Sequence, residues 1–258
     1  MPHVTKDAEG VLLHEFNHSL QTEALVDAAL RRTFGESIHV DYTKMRDAQK
    51  LGFDYLLKWA SDGGQHIVAV DDKADKRLLQ TGNLSIELFG VSPFRGLADG
   101  WAIYGKAYAL RYVCVGSGEV LVLPMQELRD FFLPRLEQFP TVGVVNRRGE
   151  TLSHVSFNIL VPATEALKHC PSACVVLLDG AKPAISKGFE KRVLSAEAAL
   201  AALAALAGKE KYSKAAPSLS TQQIQHQLLA NRFRHAQEQY LAQCRLPRGV
   251  HLQMELAA

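Results

Sequence analysis

An apolar run that ends in charged residues is the feature that most constrains the fold of this chain. Ile67-Val68-Ala69-Val70 leads directly into Asp71-Asp72-Lys73. The run predicts a strand, and residues two apart on a strand lie on the same face of its sheet. Asp71 and Lys73 are therefore expected to lie side by side, with a carboxylate that can hold a divalent cation next to an ammonium group.

A second strand is predicted just before this one. Asp62-Gly63-Gly64 is a strong turn signal between the apolar segment Gly52–Ala60 and the run Gln65–Asp72. The two segments therefore predict a hairpin. Asp54 lies near the start of its first strand and is placed to complete a site with Asp71.

Further elements follow from periodicity and turn signals along the chain. One further strand is predicted at Asn83–Phe89, and a hairpin is predicted from Tyr108–Val115 and Val120–Leu123 around a Gly116-Ser117-Gly118 turn. Two more strands, His154–Val161 and Ala173–Leu178, are expected to extend the main sheet. The predicted helices are Phe16–Phe34, one that starts at Pro124 and continues to Leu136, one from Ser195 to Ala207, and Thr221–Cys244. This alternation predicts an α/β fold.

Composition sets the class of protein. With 258 residues, of which 47% are apolar, the chain can form one elaborated domain or two small ones. No apolar segment approaches the ~20 residues of a membrane span, and the N-terminus does not resemble a secretory signal. We therefore expect a soluble, cytoplasmic protein without a membrane partner, consistent with four scattered cysteines.

Two carboxylates on neighbouring strands suit metal-assisted phosphodiester cleavage. Mg²⁺ prefers oxygen ligands and keeps several waters, so Asp54 and Asp71 are predicted ligands, with the backbone carbonyl of Asp72 as a further one. Lys73 is predicted to orient or deprotonate the attacking water and to balance the charge of the phosphate. On spacing alone, Asp-Asp-Lys is also common at surface turns.

The neighbouring segments resemble one family. Asp71-Asp72-Lys73-Ala74-Asp75 resembles the Glu-Val-Lys-x-Asp strand end of the PD-(D/E)XK nuclease superfamily. Other segments are similar, in order, to a phage- and mobile-element-associated branch of it. Gln49–Asp54 resembles the Gln-x-x-Gly-Ile-Asp segment of that branch, and Thr81-Gly82-Asn83 with Glu87 resembles its Thr-Gly-Asn…Glu segment. Gly105–Tyr112 is similar to its lysine-alanine-aspartate strand, and Val120–Pro124 with Leu128-Arg129 is similar to its strand-proline-helix element.

The resemblance implies a restriction-endonuclease-like αβββαβ core with a mixed central sheet flanked by helices, plus a helical C-terminal extension. It implies that Asp54 and Asp71 are metal ligands for Mg²⁺, with Mn²⁺ as a substitute, and that Lys73 is the catalytic lysine. It also implies an additional helical acid, for which Glu23 is the first candidate and Glu15 the alternative. Asp71 replaces the commoner glutamate, and Tyr108 stands where the branch often has aspartate. The expected organisation is a nuclease-like core over residues 1–165, added elements over 166–208, and a linker with a C-terminal helix over 209–258.

The remaining expectations concern the surroundings of the site. Supporting roles are predicted for Asp75, Glu87 and Gln49. The residues predicted to contact DNA are Lys50, Lys76, Arg77, Asn83 and Lys106, although a basic cluster also suits a solvated face and the net charge is only +2. Double-strand cutting often needs two active sites, which makes a homodimer the expected assembly for that activity.

Three alternatives remain open at the level of sequence. A nuclease fold with a decayed site would bind nucleic acid or a protein without cleavage, using the C-terminal helix. His14-Glu15-Phe16-Asn17-His18 matches the HExxH pattern of zinc peptidases, without any other supporting feature. Cys170 and Cys174, next to His169, lack the spacing of a zinc knuckle and are expected to be buried thiols.

Overall fold

Two β-sheets with flanking helices make up the structure, a computed structural model that describes residues 22–61, 64–92, 96–148 and 151–207. The first sheet contains β1 (His39–Asp41), β2 (Tyr55–Ser61), β3 (Gly64–Asp75), β6 (Ala109–Cys114), β7 (Glu119–Pro124), β10 (Cys174–Leu177) and β11 (Val193–Leu194). The second contains β4 (Asn83–Ser92), β5 (Gly96–Asp99), β8 (Thr141–Arg148) and β9 (Thr151–Pro162). The helices are α1 (22–34), α2 (Arg46–Leu51), α3 (Leu78–Thr81), α4 (Trp101–Tyr104), α5 (Met125–Phe132), α6 (Ala163–His169) and α7 (Ala196–Ala207).

The first sheet is mixed and has the strand order β1-β2-β3-β6-β7-β10-β11. Its first three strands are antiparallel neighbours, β6 lies parallel to β3, and β7 returns antiparallel to β6. The second sheet is antiparallel with the order β5-β4-β9-β8. Because β4 and β5 lie between β3 and β6 in the sequence, the chain leaves the first sheet directly after Asp75 and returns to it at Ala109.

The two faces of the first sheet bury separate cores. The inner face, which includes Leu110 and Tyr112 of β6, packs against Leu84, Ile86 and Leu88 of the second sheet, together with α5 and α6. The outer face includes Val70 of β3 and Val113 of β6, and it is covered by Leu30 and Phe34 of α1 and Leu200 and Leu203 of α7. Alternation along β3 therefore directs Asp71 and Lys73 to the inner face and Asp72 to the outer face.

The structure confirms the α/β class and most predicted elements. The β2–β3 and β6–β7 hairpins form as expected, α5 starts directly after Pro124, and the alanine-rich helix α7 ends at Ala207. The predicted strand Ala173–Leu178 corresponds to β10 in the first sheet. The helix predicted from Phe16 is described from residue 22 onward.

The position of the strand predicted at His154–Val161 differs from expectation. It belongs to β9 and pairs with β4 and β8 in the second sheet, rather than extending the main sheet. The strand predicted at Asn83–Phe89 is β4 and lies in the same second sheet. Apolar alternation predicts that such segments are strands, but the partner depends on contacts between distant residues, such as Ile86 opposite Ile159.

The described helices include none that is long and apolar enough to cross a membrane.

Candidate active site between the two sheets

The site forms where β3 extends past the start of β2. Tyr55, the first residue of β2, pairs with Val70, so among the described strands Asp71–Asp75 pairs only with β6. Asp54 occupies the open edge: its backbone N–H donates to the Val70 carbonyl at 2.9 Å, and its Oδ2 accepts a hydrogen bond from the Asp72 N–H at 3.1 Å. The hairpin thereby fixes the Asp54 carboxylate next to the end of the apolar run.

Asp71 and Lys73 form an ion pair on the inner face. Lys73 Nζ donates to Asp71 Oδ1 at 2.8 Å and to the Asp72 carbonyl at 3.3 Å. Asp71 is only 4% exposed, and its Oδ2 is buried without a hydrogen-bond partner in the described part of the chain. A buried carboxylate oxygen without a donor is costly, so this atom favours binding of a proton or a cation.

Burial and neighbouring charges have opposing effects on the pKa values of Asp71 and Lys73. Burial and the nearby Asp54 carboxylate raise the pKa of Asp71 to about 7, against the lowering effect of Lys73. Burial favours the neutral form of Lys73, but the carboxylates of Asp71 and Asp54 outweigh it and raise the pKa of this lysine. Lys73 is therefore a cation at neutral pH. This charge suits the predicted role of Lys73 in balancing the charge of a phosphate, and its predicted role toward the attacking water stays a prediction.

A third carboxylate reaches this region from the second sheet. Burial raises the pKa of Glu87 on β4, while the charge of Lys73 and a hydrogen bond from Ser156 act in the opposite direction. Gly100 packs directly against Glu87: a Cβ atom there would lie 2.6 Å from the Glu87 carbonyl oxygen and 2.8 Å from its Cγ. Glu87 is therefore close enough to Lys73 for their charges to interact, and its supporting role stays a prediction.

The short helix α4 provides two aromatic side chains, Trp101 and Tyr104, next to the site. The ring centroid of Trp101 lies 5.5 Å from Lys73 Nζ, within the range of a cation–π contact. Tyr104 follows one turn later, and a Cβ atom at Gly52 would lie 2.9 Å from its Cε2. Neither aromatic residue was predicted to have a role. The sequence feature that could have indicated them is their spacing: two aromatic residues three positions apart within Val91–Lys106, a segment poor in helix-forming patterns.

Behind the site, the outer face contains a buried ion pair. Arg111 is fully buried and donates to both carboxylate oxygens of Asp72, at 2.7 and 2.6 Å. Its guanidinium also contacts His39 Nε2 at 2.9 Å and lies over the rings of Phe34 and Tyr55, at 5.1 and 5.8 Å from their centroids. This pair holds the residue between Asp71 and Lys73 in place, a role that the sequence analysis did not assign.

Asp75 is engaged in structural hydrogen bonds. Its Oδ1 accepts from the N–H groups of Arg77 and Leu78, at 2.6 and 3.2 Å, and its Oδ2 accepts from the Tyr112 hydroxyl at 2.6 Å. These contacts cap the turn that follows β3. The Thr81-Gly82-Asn83 segment likewise forms the turn into β4, with the Asn83 amide donating to the Thr81 carbonyl at 3.0 Å.

The structure brings together Asp54, Asp71, Lys73 and Glu87. Glu23 does not join them: it is exposed on α1, which packs on the outer face. The predicted DNA contacts Lys76, Arg77 and Lys106 are exposed at the surface. Only the backbone of α2 is described at Gln49 and Lys50, so the roles of these two side chains stay predictions.

Of the two alternative zinc sites, the one at Cys170 and Cys174 lies within the described residues. Cys170 and Cys174 are buried in the inner and outer cores respectively, on opposite sides of the first sheet, and burial raises the pKa of their thiols to about 12 and 11. They therefore do not form one site together. His14, Glu15 and His18, and the C-terminal helix Thr221–Cys244, lie outside the described residues.

The donor set fits a hard cation that retains water. Among the residues that the structure describes, no group of three or more His, Cys, Asp or Glu side chains is arranged around a common metal position. Asp54 and Asp71 instead provide two neighbouring carboxylates and a buried oxygen without a donor. Mg²⁺ is commonly held by one or two carboxylates plus water and substrate phosphate, which matches this arrangement.

No family model matches the chain, and no curated protein or solved structure is significantly similar to it. The class of protein is therefore inferred from the geometry of the site and from the fold.

Proposed function

We propose that this chain is a Mg²⁺-dependent nuclease of the restriction-endonuclease-like, PD-(D/E)XK class that hydrolyses phosphodiester bonds in DNA. The observation that carries the proposal is the adjacent pair Asp54 and Asp71, with the unpartnered Asp71 Oδ2 beside the ammonium group of Lys73. An anionic substrate and a divalent cation together would balance the charges of such a site.

The order of elements in the first sheet supports this class. Helix α1 precedes the three antiparallel strands β1, β2 and β3, and helix α4 precedes β6, which lies parallel to β3. Apart from α2 between β1 and β2 and the inserted strands β4 and β5, this order is compatible with the αβββαβ core that the sequence resemblance implies. Two strands of the second sheet, β4 and β5, are inserted between β3 and α4, and the other two, β8 and β9, follow α5.

Asp54 and Asp71 would hold the ion, and Mn²⁺ would be an effective substitute for Mg²⁺. A bound Mg²⁺ would supply Lewis-acid activation of the phosphate and lower the pKa of water. The raised pKa of Asp71 agrees with a carboxylate placed to meet a cation, because positive charge stabilises its ionised form.

The residues of the chain itself provide the remaining chemistry. Lys73, a cation at neutral pH, would donate to a non-bridging oxygen of the scissile phosphate and stabilise the additional charge of the transition state. Its ammonium group interacts with the Trp101 ring on α4 and with the charge of Glu87 on β4. The exposed Lys76, Arg77 and Lys106 are available for the DNA backbone.

The test is cleavage of supercoiled, linear, single-stranded and branched DNA by the purified full chain with Mg²⁺ or Mn²⁺. Asp71→Ala and Lys73→Ala are each expected to lower the cleavage rate by about 100-fold or more. Lys58→Ala is the matched control, because Lys58 is an exposed lysine on β2, and its rate is expected to equal that of the wild type.

Three results would overturn the proposal: no cleavage of any substrate, cleavage that persists in EDTA, or undiminished cleavage by Asp71→Ala. DNA binding without cleavage would instead support the alternative of a decayed nuclease fold. Fluorescence anisotropy with the same DNA substrates distinguishes these outcomes.

A further inference from the structure

Tyr104 stands at the rim of the site and has no role in the proposed function so far. It is the last residue of α4, its side chain remains 37% exposed, and its hydroxyl makes no hydrogen bond to the described residues. An aromatic side chain next to several charged groups, with a hydroxyl that makes no hydrogen bond to the described residues, is suited to contact with a substrate.

The position of Tyr104 is fixed from several directions. Arg129 of α5 donates to the Ala102 carbonyl at 2.8 Å and to the Gly105 carbonyl at 2.5 Å, so both ends of α4 are anchored. The Lys106 N–H donates to the Leu51 carbonyl at 2.6 Å, which links the end of α4 to the end of α2. The ring of Tyr104 is therefore held by a rigid support and not by a free loop.

Gly52 allows the ring to come close to the carboxylates. It has a φ angle of +66°, and a Cβ atom there would lie 2.7 Å from Gly105 Cα and 2.9 Å from Tyr104 Cε2. Since Gly52 is only two residues before Asp54, this close approach places the Tyr104 ring beside the segment that provides the first carboxylate.

The charged groups of the site act on the Tyr104 hydroxyl. Burial raises the pKa of the Tyr104 hydroxyl, followed by the charges of Asp71 and Glu87, while Lys73 has the opposite effect. A phenol in this setting keeps its proton at neutral pH. It is therefore a hydrogen-bond donor throughout the range in which the site would work.

We infer that Tyr104 is a substrate-contacting catalytic residue whose hydroxyl donates a hydrogen bond to a phosphate oxygen of the bound DNA, next to the oxygen that Lys73 contacts. This inference rests on the proposed nuclease function. It adds a neutral donor to a site that would otherwise hold phosphate only through positive charge. Trp101, one turn earlier on α4, covers Lys73 on the same side.

Tyr104→Phe removes only the hydroxyl and keeps the ring that packs on Gly52. The single-turnover cleavage rate with Mg²⁺ is expected to fall by about 10- to 100-fold, the range for a lost hydrogen bond to a charged group. Affinity for fluorescein-labelled DNA in EDTA is expected to weaken by about 3- to 10-fold. Tyr55→Phe is the control, since its hydroxyl donates to Asp27 on the outer face at 2.8 Å, and neither measurement should change.

Cleavage and DNA binding by Tyr104→Phe that both equal those of the wild type would overturn the inference. If the wild type does not cleave DNA, the proposed function fails by itself. In that case weaker DNA binding by Tyr104→Phe still supports the contact, and unchanged binding removes it. Thermal melting of each variant shows whether the fold is retained.

Discussion

At the scale of single residues, Asp71 combines burial, a neighbouring carboxylate and one cationic partner. The net effect raises its pKa to about 7, so its ionised form is destabilised in the folded chain. Such a group works against stability wherever it is charged. This is a common property of active-site residues, whose arrangement favours a ligand over the free fold.

We predict that Asp71→Asn stabilises the metal-free protein in a pH-dependent way. In the unfolded chain Asp71 ionises near pH 4, but in the folded chain it ionises near pH 7. The folded state therefore binds more protons between these values, and the wild type loses stability as the pH rises through this window. Asparagine cannot ionise, so its advantage should grow from near zero at about pH 4 to on the order of 2–4 kcal/mol at about pH 8.

The measurement is urea denaturation in EDTA at several pH values. Asp179→Asn, which changes an exposed aspartate, should show no such trend. A variant Asp71→Asn that is less stable than the wild type at about pH 8 would contradict the interpretation that this carboxylate is held against its ordinary ionisation.

Arg111 and Asp72 illustrate the opposite case, in which a fully buried guanidinium and a largely buried carboxylate satisfy each other. We predict that Arg111→Met and Asp72→Asn each destabilise the fold by about 3–5 kcal/mol, because each leaves a buried charge without its partner. The double variant should cost less than the sum of the two. A double-mutant cycle by chemical denaturation measures this coupling, and additive effects would show that the two residues act independently.

At the scale of elements, the sequence predicted local structure well and partners less well. The hairpin that joins Asp54 to Asp71 follows from an apolar run, a turn signal and a second run, all within about 20 residues. The second sheet was not anticipated, because pairing of β4 with β9 connects segments about 70 residues apart. Alternation of apolar residues identifies a strand and one buried face, but it carries no information on which distant strand completes the sheet.

The same difference applies to the site. Asp54, Asp71 and Lys73 lie on one hairpin, so their proximity follows from local spacing. Trp101, Tyr104 and Arg111 join only when α4 and β6 pack against that hairpin. Glu23 was expected to join from α1, but that helix covers the outer face through Leu30 and Phe34. Amphipathic spacing predicts a packed helix without specifying the face of the sheet that it covers.

We predict that Gly100→Ala disturbs the contact between α4 and β4. The new methyl group would lie 2.6 Å from the Glu87 carbonyl oxygen, a backbone atom that cannot move independently of its strand. The expected loss is about 1–3 kcal/mol of folding free energy, with slower DNA cleavage, since Glu87 and Trp101 both contact the region of Lys73.

Gly90→Ala provides the matched control for this prediction. Gly90 also lies on β4, but the nearest atom to its added Cβ, Glu87 Oε1, would be 3.9 Å away. Thermal melting should show a clear decrease for Gly100→Ala alone. Equal melting temperatures for the two variants would mean that α4 adjusts to the added methyl group.

At the scale of the whole molecule, metal binding and stability should be linked. A ligand that binds only the folded state stabilises it by an amount that grows with its concentration, about 2.7 kcal/mol at 100 times the dissociation constant. We predict that Mg²⁺ raises the melting temperature of the wild type, and that EDTA reverses the change. Asp71→Ala should abolish the increase, whereas Lys58→Ala should retain it.

An identical Mg²⁺-dependent increase in the wild type and in Asp71→Ala would assign the effect to another part of the chain. Differential scanning fluorimetry across a Mg²⁺ titration gives this comparison without any DNA. It therefore tests the carboxylate pair independently of cleavage.

The insertion of β4 and β5 between β3 and α4 has a consequence for folding kinetics, because their partner strand β9 comes much later in the chain. The hairpin that carries the aspartates has local contacts and can form early, whereas α4 reaches Lys73 only after the inserted strand β4 has paired with β9. The chain has two tryptophans, one in each of these regions: Trp59 is in the hairpin, and Trp101 lies over Lys73. In refolding experiments, the Trp101→Phe variant retains only Trp59 and should show an early fluorescence change. The Trp59→Phe variant retains only Trp101 and should show a later change, and recovery of cleavage should follow this later signal.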